Sequence, residues 1–128
     1  MPPMFSGHCL CGAITFQCSD KPLWQAHCHC ESCRRATSSA FTSFFGMADG
    51  SWAWTGAQPV VFQSSPGVWR DFCGRCGAQV AYRSERYPGE IHFYAALLDD
   101  ATIFEPTEHV HSDEALPWVH LADGLPCR

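Results

Sequence analysis

Val68-Trp69-Arg70-Asp71-Phe72-Cys73-Gly74-Arg75-Cys76-Gly77-Ala78-Gln79-Val80-Ala81-Tyr82 is the stretch whose reading decides the fold. Val68 to Phe72 and Gln79 to Tyr82 are rich in β-branched and aromatic residues, which suit a pleated strand. Between them lies Cys-x-x-Cys followed by Gly, the usual half of a tetrahedral zinc site. Such a turn aims backbone N–H groups at the sulfurs, and Gly tolerates the positive φ it needs. Similar strand-like segments recur at Ala13 to Gln17, Leu23 to His29, Phe41 to Phe45, Pro59 to Gln63 and Glu90 to Leu97. Gly and Pro punctuate them, as at Gly46, Gly50, Gly56, Pro66-Gly67 and Pro88-Gly89. This spacing predicts a mainly β domain of short antiparallel strands, with residues 1–128 forming one domain. Helical periodicity is weak. One turn is expected at Glu31 to Thr37 and another from Ser112, acting as N-cap, with Pro117 stopping it.

The chain has nine cysteines. Cys73 and Cys76 are two ligands short of a closed zinc site. Cys9 and Cys11 sit two apart, so on a strand both thiolates would face the same side. Joining the start of the chain to its middle closes a long loop, where a cross-link constrains the unfolded chain most. Cys9, Cys11, Cys73 and Cys76 are therefore assigned to a four-cysteine structural zinc site.

Cys28, Cys30 and Cys33 remain, as Cys28-His29-Cys30-Glu31-Ser32-Cys33. Three thiolates and an open fourth position are the pattern of a catalytic zinc site. Two zinc ions per chain are expected, the second partly occupied where its thiolates oxidise. The alternative is a second structural zinc closed by His8, His29, Glu31 or Cys18. A single four-ligand site with spare thiols is a further alternative. An iron–sulfur cluster fits poorly, because its usual spacings differ. His27 and His29 would point to the strand face opposite Cys28 and Cys30. They are candidates for acid–base work, or for supporting and core positions. His109, His111 and His120 lack ligand spacing to any cysteine group and read as structural or surface residues. Cys18 and Cys127 stand apart from the three groups.

Composition narrows the partners. The formal net charge is -5 with only eight Lys plus Arg, which disfavours nucleic acid. There is no basic run for a membrane surface, and no apolar run approaches the roughly 20 residues that span a bilayer. The first residues carry neither a basic n-region nor an apolar h-region. A cytoplasmic location is expected, where structural disulfides are rare and clustered cysteines read as metal ligands. The oligomeric state is not encoded in any pattern.

Gly7-His8-Cys9-Leu10-Cys11-Gly12-Ala13-Ile14-Thr15-Phe16 resembles the N-terminal motif of the glutathione-dependent formaldehyde-activating enzyme family. His27-Cys28-His29-Cys30-Glu31-Ser32-Cys33-Arg34-Arg35-Ala36-Thr37 resembles its second motif, and Arg70 to Gly77 its third. Leu97-Leu98-Asp99-Asp100, Pro106 to Val110, Trp118 and Leu125-Pro126 are similar to its C-terminal part. The chain departs from the family at Ser38, where Gly is common, and at Cys127, where many members have an aromatic residue.

The resemblance implies a β-tent-like fold. It implies one zinc on the first and third motifs and a second zinc on the middle one. It also implies a carbon–sulfur lyase activity that joins formaldehyde to glutathione as S-(hydroxymethyl)glutathione. The expected function is thus a zinc-dependent enzyme acting on a thiol and a small aldehyde. The alternative is a zinc-stabilised binding module without catalysis. Arg34 and Arg35 directly follow Cys33 and are candidates for binding a substrate carboxylate. Phe41 and Phe44 follow the second group closely in sequence and are candidates to line a pocket beside it.

Overall fold

The computed structural model describes residues 5–128. Ten strands form: β1 (Ser6–His8), β2 (Thr15–Cys18), β3 (Trp24–Cys28), β4 (Thr42–Ala48), β5 (Trp52–Trp54), β6 (Val60–Ser65), β7 (Val68–Phe72), β8 (Gln79–Ser84), β9 (Glu90–Tyr94) and β10 (His109–Val110). One α-helix, α1, spans Glu31–Thr37. The strands make a three-stranded sheet, β1-β2-β5, and a seven-stranded sheet in the order β10-β3-β4-β9-β8-β7-β6. The mainly β expectation holds. One pairing departs from it, because β10 runs parallel to β3.

Strand alternation divides the large sheet into two working faces. On one face Phe45, Met47, Ala81, Ile91 and Phe93 are buried and meet Phe16 of the small sheet. Phe16 stacks on Phe93 at 4.3 Å with a 12° interplanar angle, and Trp52 and Trp54 close over Phe93 edge-on. Aromatic pairs of this kind contribute about 0.5–1.5 kcal/mol beyond their burial. The opposite face carries the alternate residues: Trp24, Ala26 and Cys28 of β3, paired with Gly46, Phe44 and Thr42 of β4. Tyr82 pairs with His92 on the same face. Gly46 is required there. A Cβ on it would meet the Trp24 indole at 2.4 Å.

Helix α1 begins at Cys30, which has extended φ and ψ of -65° and 144°, and ends at Ser38, in the left-handed region at φ 55°. The second expected helix shrinks to a single 3-10 turn, Ser112–Glu114. Its N-cap is His111 rather than Ser112, and no side chain caps it. The backbone explains the short run: the turn closes through Glu114 N–H to His111 O and Ala115 N–H to Ser112 O, and Ala115 is already extended.

The C-terminal tail returns to cover the β10 edge. His109 N–H donates to Pro126 O, and Arg128 N–H donates to His109 O, both at 2.8 Å. Covering an edge in this way satisfies backbone groups that would otherwise template aggregation. Among the described residues no helix is long and apolar enough to cross a membrane.

Candidate metal centres

The Cys73 turn is built as the sequence implies. Cys73 N–H donates to Ala78 O at 2.9 Å, and Gly77 N–H to Cys73 O at 2.8 Å, with Gly77 at φ 79°. The Arg75 and Cys76 amides both point at Cys73 Sγ from 3.4 Å. Cys9 and Cys11 do not lie on a strand. β1 ends at His8, and the two cysteines occupy a turn closed by Gly12 N–H to Cys9 O at 3.0 Å. Gly12, at φ 81°, allows it. Both turns are closed by a cysteine amide, Cys9 N–H to Ile14 O and Cys73 N–H to Ala78 O, and the Ile14 amide donates to Cys9 Sγ at 3.3 Å.

The two turns bring Cys9, Cys11, Cys73 and Cys76 together, with their sulfurs all within 4.8 Å of one another. Cys11 Sγ is 3.7 Å from both Cys9 Sγ and Cys73 Sγ. A zinc–thiolate tetrahedron with bonds of about 2.3 Å has edges of roughly 3.8 Å, so the donor set fits such an ion. The electrostatics are uneven across the group: against the Ala13 amide, burial and the three neighbouring thiols push Cys11 up to about 11. The Ala78 amide leads the groups that hold the Cys76 thiol down at about 6. Burial pushes Cys9 up, but the Ile14 amide and the neighbouring thiols bring its net value down.

The second group is Cys28, at the end of β3, Cys30, at the N-cap of α1, and Cys33, inside the helix. Their three sulfurs also lie within 4.8 Å of one another. Among the described residues no fourth His, Cys, Asp or Glu joins them. Hydrogen bonds from Cys28 and Cys33 pull the Cys30 thiol far down, and the same contacts push Cys28 far up. Cys30 is the least buried of the three residues.

The other residues weighed as fourth ligands are placed elsewhere. Cys18 is in the main core beside Phe45. His8 Nδ1 sits against Asp99 at 2.5 Å. His29 Nε2 is 2.9 Å from His109 Nδ1, and His109 Nε2 is 2.8 Å from Asp123. His27 stacks on His109 at 5.0 Å and shares a hydrogen bond with Ser43. These histidines therefore pin the C-terminal tail behind the second group.

A cleft of about 670 Å³ opens over Cys28, Cys30 and Cys33. Phe44, Tyr82 and His92 form part of its wall, and the tail supplies Glu108, His111 and Arg128. Phe41 instead stacks on His29. Arg34 is tied to the carbonyl oxygens of His29 and Glu114, both at 3.3 Å. Arg35 faces solvent, 3.8 Å from Glu31, and lines a separate cleft of about 770 Å³. The guanidinium on the metal-side cleft is Arg128, paired with Glu108 at 2.7 Å.

Arg70 brings a buried cation against one of these thiols. It is 5% exposed, its Nη1 is 3.9 Å from Cys33 Sγ, and its guanidinium lies 5.1 Å over the Tyr82 ring. Two adjacent charges inside a strand-like run, Arg70-Asp71, are the signal that marks it. A charge in such a run needs a buried partner, and here Asp71 takes Arg83 at 2.8 Å while Arg70 takes the thiols.

The family model described as glutathione-dependent formaldehyde-activating enzyme matches residues 4–114. The chain belongs to that family. A Halomonas elongata protein bearing the same family name is 28% identical over 117 residues, covering 84% of this chain and 73% of that protein. A Rhodobacter sphaeroides protein of known crystal structure has the same fold, with a TM-score of 0.65 and 18% identity. That match covers 96% of this chain and 99% of the other. The family model ends at Glu114, so the tail that carries Asp123 and Arg128 lies outside it.

Proposed function

We propose that this chain is a zinc-dependent carbon–sulfur lyase-type enzyme that joins a thiol to a small aldehyde, as an S-(hydroxymethyl)glutathione synthase does. The observation that carries this reading is the second group: three convergent thiols with no fourth side chain, at the floor of an open cleft. Cys9, Cys11, Cys73 and Cys76 would hold one zinc and Cys28, Cys30 and Cys33 the other. Zinc in the second place supplies a Lewis acid that lowers a thiol pKa or polarises a carbonyl.

The chemistry is an addition without redox change. The thiol sulfur forms a bond to the aldehyde carbon, the carbonyl π pair moves to oxygen, and the thiol proton ends on that oxygen. Arg70 offsets the excess negative charge of three thiolates from within the sheet. Tyr82 lines the cleft wall, and burial is the chief cause that raises the pKa of its hydroxyl. Phe44 and Trp24 exclude water from the same wall. Cysteines that are all free agree with a reducing, cytoplasmic setting.

The test is zinc per chain together with the rate of adduct formation from formaldehyde and glutathione, followed by NMR. Both are measured on the wild type and on a Cys28, Cys30 and Cys33 triple Ala variant. The variant should keep one zinc and lose the rate. A folded variant that still accelerates the addition removes the second group from the chemistry.

A further inference from the structure

The cleft above the second group carries a charge pattern that the addition reaction does not use. Three carboxylates, Glu90, Glu108 and Asp113, line it against a single guanidinium, Arg128. Arg128 is already paired with Glu108. Glu90 is the inner carboxylate, with a side chain 18% exposed. Its Oε1 accepts from Trp24 Nε1 at 3.0 Å and from His92 Nε2 at 2.7 Å. Both bonds end on the same oxygen, and Glu90 lines the cleft. Burial lowers the His92 pKa, against the pull of the Glu90 carboxylate beside it.

Around that carboxylate the walls are aromatic. The rings of Trp24, Tyr82 and Tyr87 stand 4.5, 5.4 and 5.0 Å from the His92 ring. Aromatic faces attract a cation, more strongly when it is desolvated. A carboxylate in such a wall, with no Lys or Arg paired to it among the described residues, is costly unless a ligand supplies the charge. A wall meant only to seat Trp24 and His92 needs a hydrogen-bond acceptor, and a neutral amide provides one.

We infer that Glu90, walled by Trp24, Tyr82 and Tyr87, is a subsite for the ammonium group of an amine-bearing thiol substrate. The inference rests on the thiol–aldehyde reading and deepens it. The ammonium has two sources, the γ-glutamyl end of glutathione or a small aminothiol, and the shared chemistry is a primary ammonium on a molecule that carries a thiol.

Calorimetric titration of the zinc-loaded protein tests it with four probes: glutathione, N-acetylated glutathione, cysteamine and 2-mercaptoethanol. Wild type should bind glutathione roughly 10- to 100-fold more tightly than its N-acetylated form. Glu90→Gln keeps the acceptor for Trp24 and should erase that difference, leaving 2-mercaptoethanol unchanged. Tryptophan fluorescence checks that the wall is intact. The wild-type comparison stands alone if the variant fails to fold. Glutathione far tighter than cysteamine assigns the site to the γ-glutamyl ammonium; equal binding assigns it to small aminothiols. If all four probes bind alike, the ammonium subsite is wrong while the thiol reading stands. If none binds, both are wrong.

Discussion

Cys11→Ala separates the metal from the fold around it. Cys9 and Cys73 are each 1% exposed and packed with Ile14 and Val80, so removing either also opens a cavity. Cys11 is exposed, and its loss removes a ligand with little lost burial. Its sulfur and that of Cys73 are 62 positions apart in the chain. By the chain-entropy relation for a cross-link, tying a loop of that size is worth about 4 kcal/mol at 25 °C. Cys11→Ala should therefore lose one of two zinc ions, cost up to about 4 kcal/mol in urea unfolding and lower Tm by roughly 10 °C or more. Zinc per chain by elemental analysis and the urea midpoint are the two readings. A variant that keeps both metal ions, with stability within about 0.5 kcal/mol of wild type, refutes the idea that this group clamps the fold.

Three other outcomes follow from single residues. Ser38 sits at φ 55° after α1, where the family commonly has Gly, so Ser38→Gly should raise unfolding free energy by about 0.5–1 kcal/mol in urea titration; a decrease would contradict the strain. Burial raises the Cys18 thiol to about 12, whereas Cys127 is exposed, so iodoacetamide on the zinc-loaded protein should label Cys127 and spare Cys18 by mass spectrometry. His92 has its pKa pushed below 6.5, chiefly by burial. The unfolded chain then binds a proton that the native His92 resists, and stability falls as pH drops below about 6.5. His92→Gln at saturating zinc should flatten that slope, and an unchanged slope would clear His92 of the effect.

The sulfur groups were legible because ligand spacing is local and chemically specific. Both groups assemble from the cysteines that the spacing selects, although Cys9 and Cys11 do so through a turn instead of a strand. Strands with a run of β-branched and aromatic residues were legible as well. β1 and β5 have three residues each, too few for alternation to register, and their pairing depends on β2 between them. β10 is shorter still, and its parallel contact with β3 comes from residues some 80 positions away along the chain. The cleft wall was hidden for the same reason. Glu90, His111 and Arg128 meet only when the tail has folded back, and no local pattern reports that. His111, read from sequence as structural or surface, is part of that wall.

What joins the fold to the chemistry is the register of β4 and β9. Phe45 pairs with Phe93 and Met47 with Ile91 on the core face, while Gly46 pairs with His92 and Phe44 with Tyr94 on the cleft face. Because strand periodicity is two, the residues that hold the small sheet and those that shape the cleft alternate one by one. A slip of one position would send Phe93 into the cleft and His92 into the core, losing both together. The buried aromatic stack between the sheets therefore fixes more than stability. It sets where Glu90, His92 and Tyr82 stand relative to Cys28, Cys30 and Cys33. A substitution such as Phe93→Ala should consequently weaken thiol binding in the cleft although the ring touches nothing there.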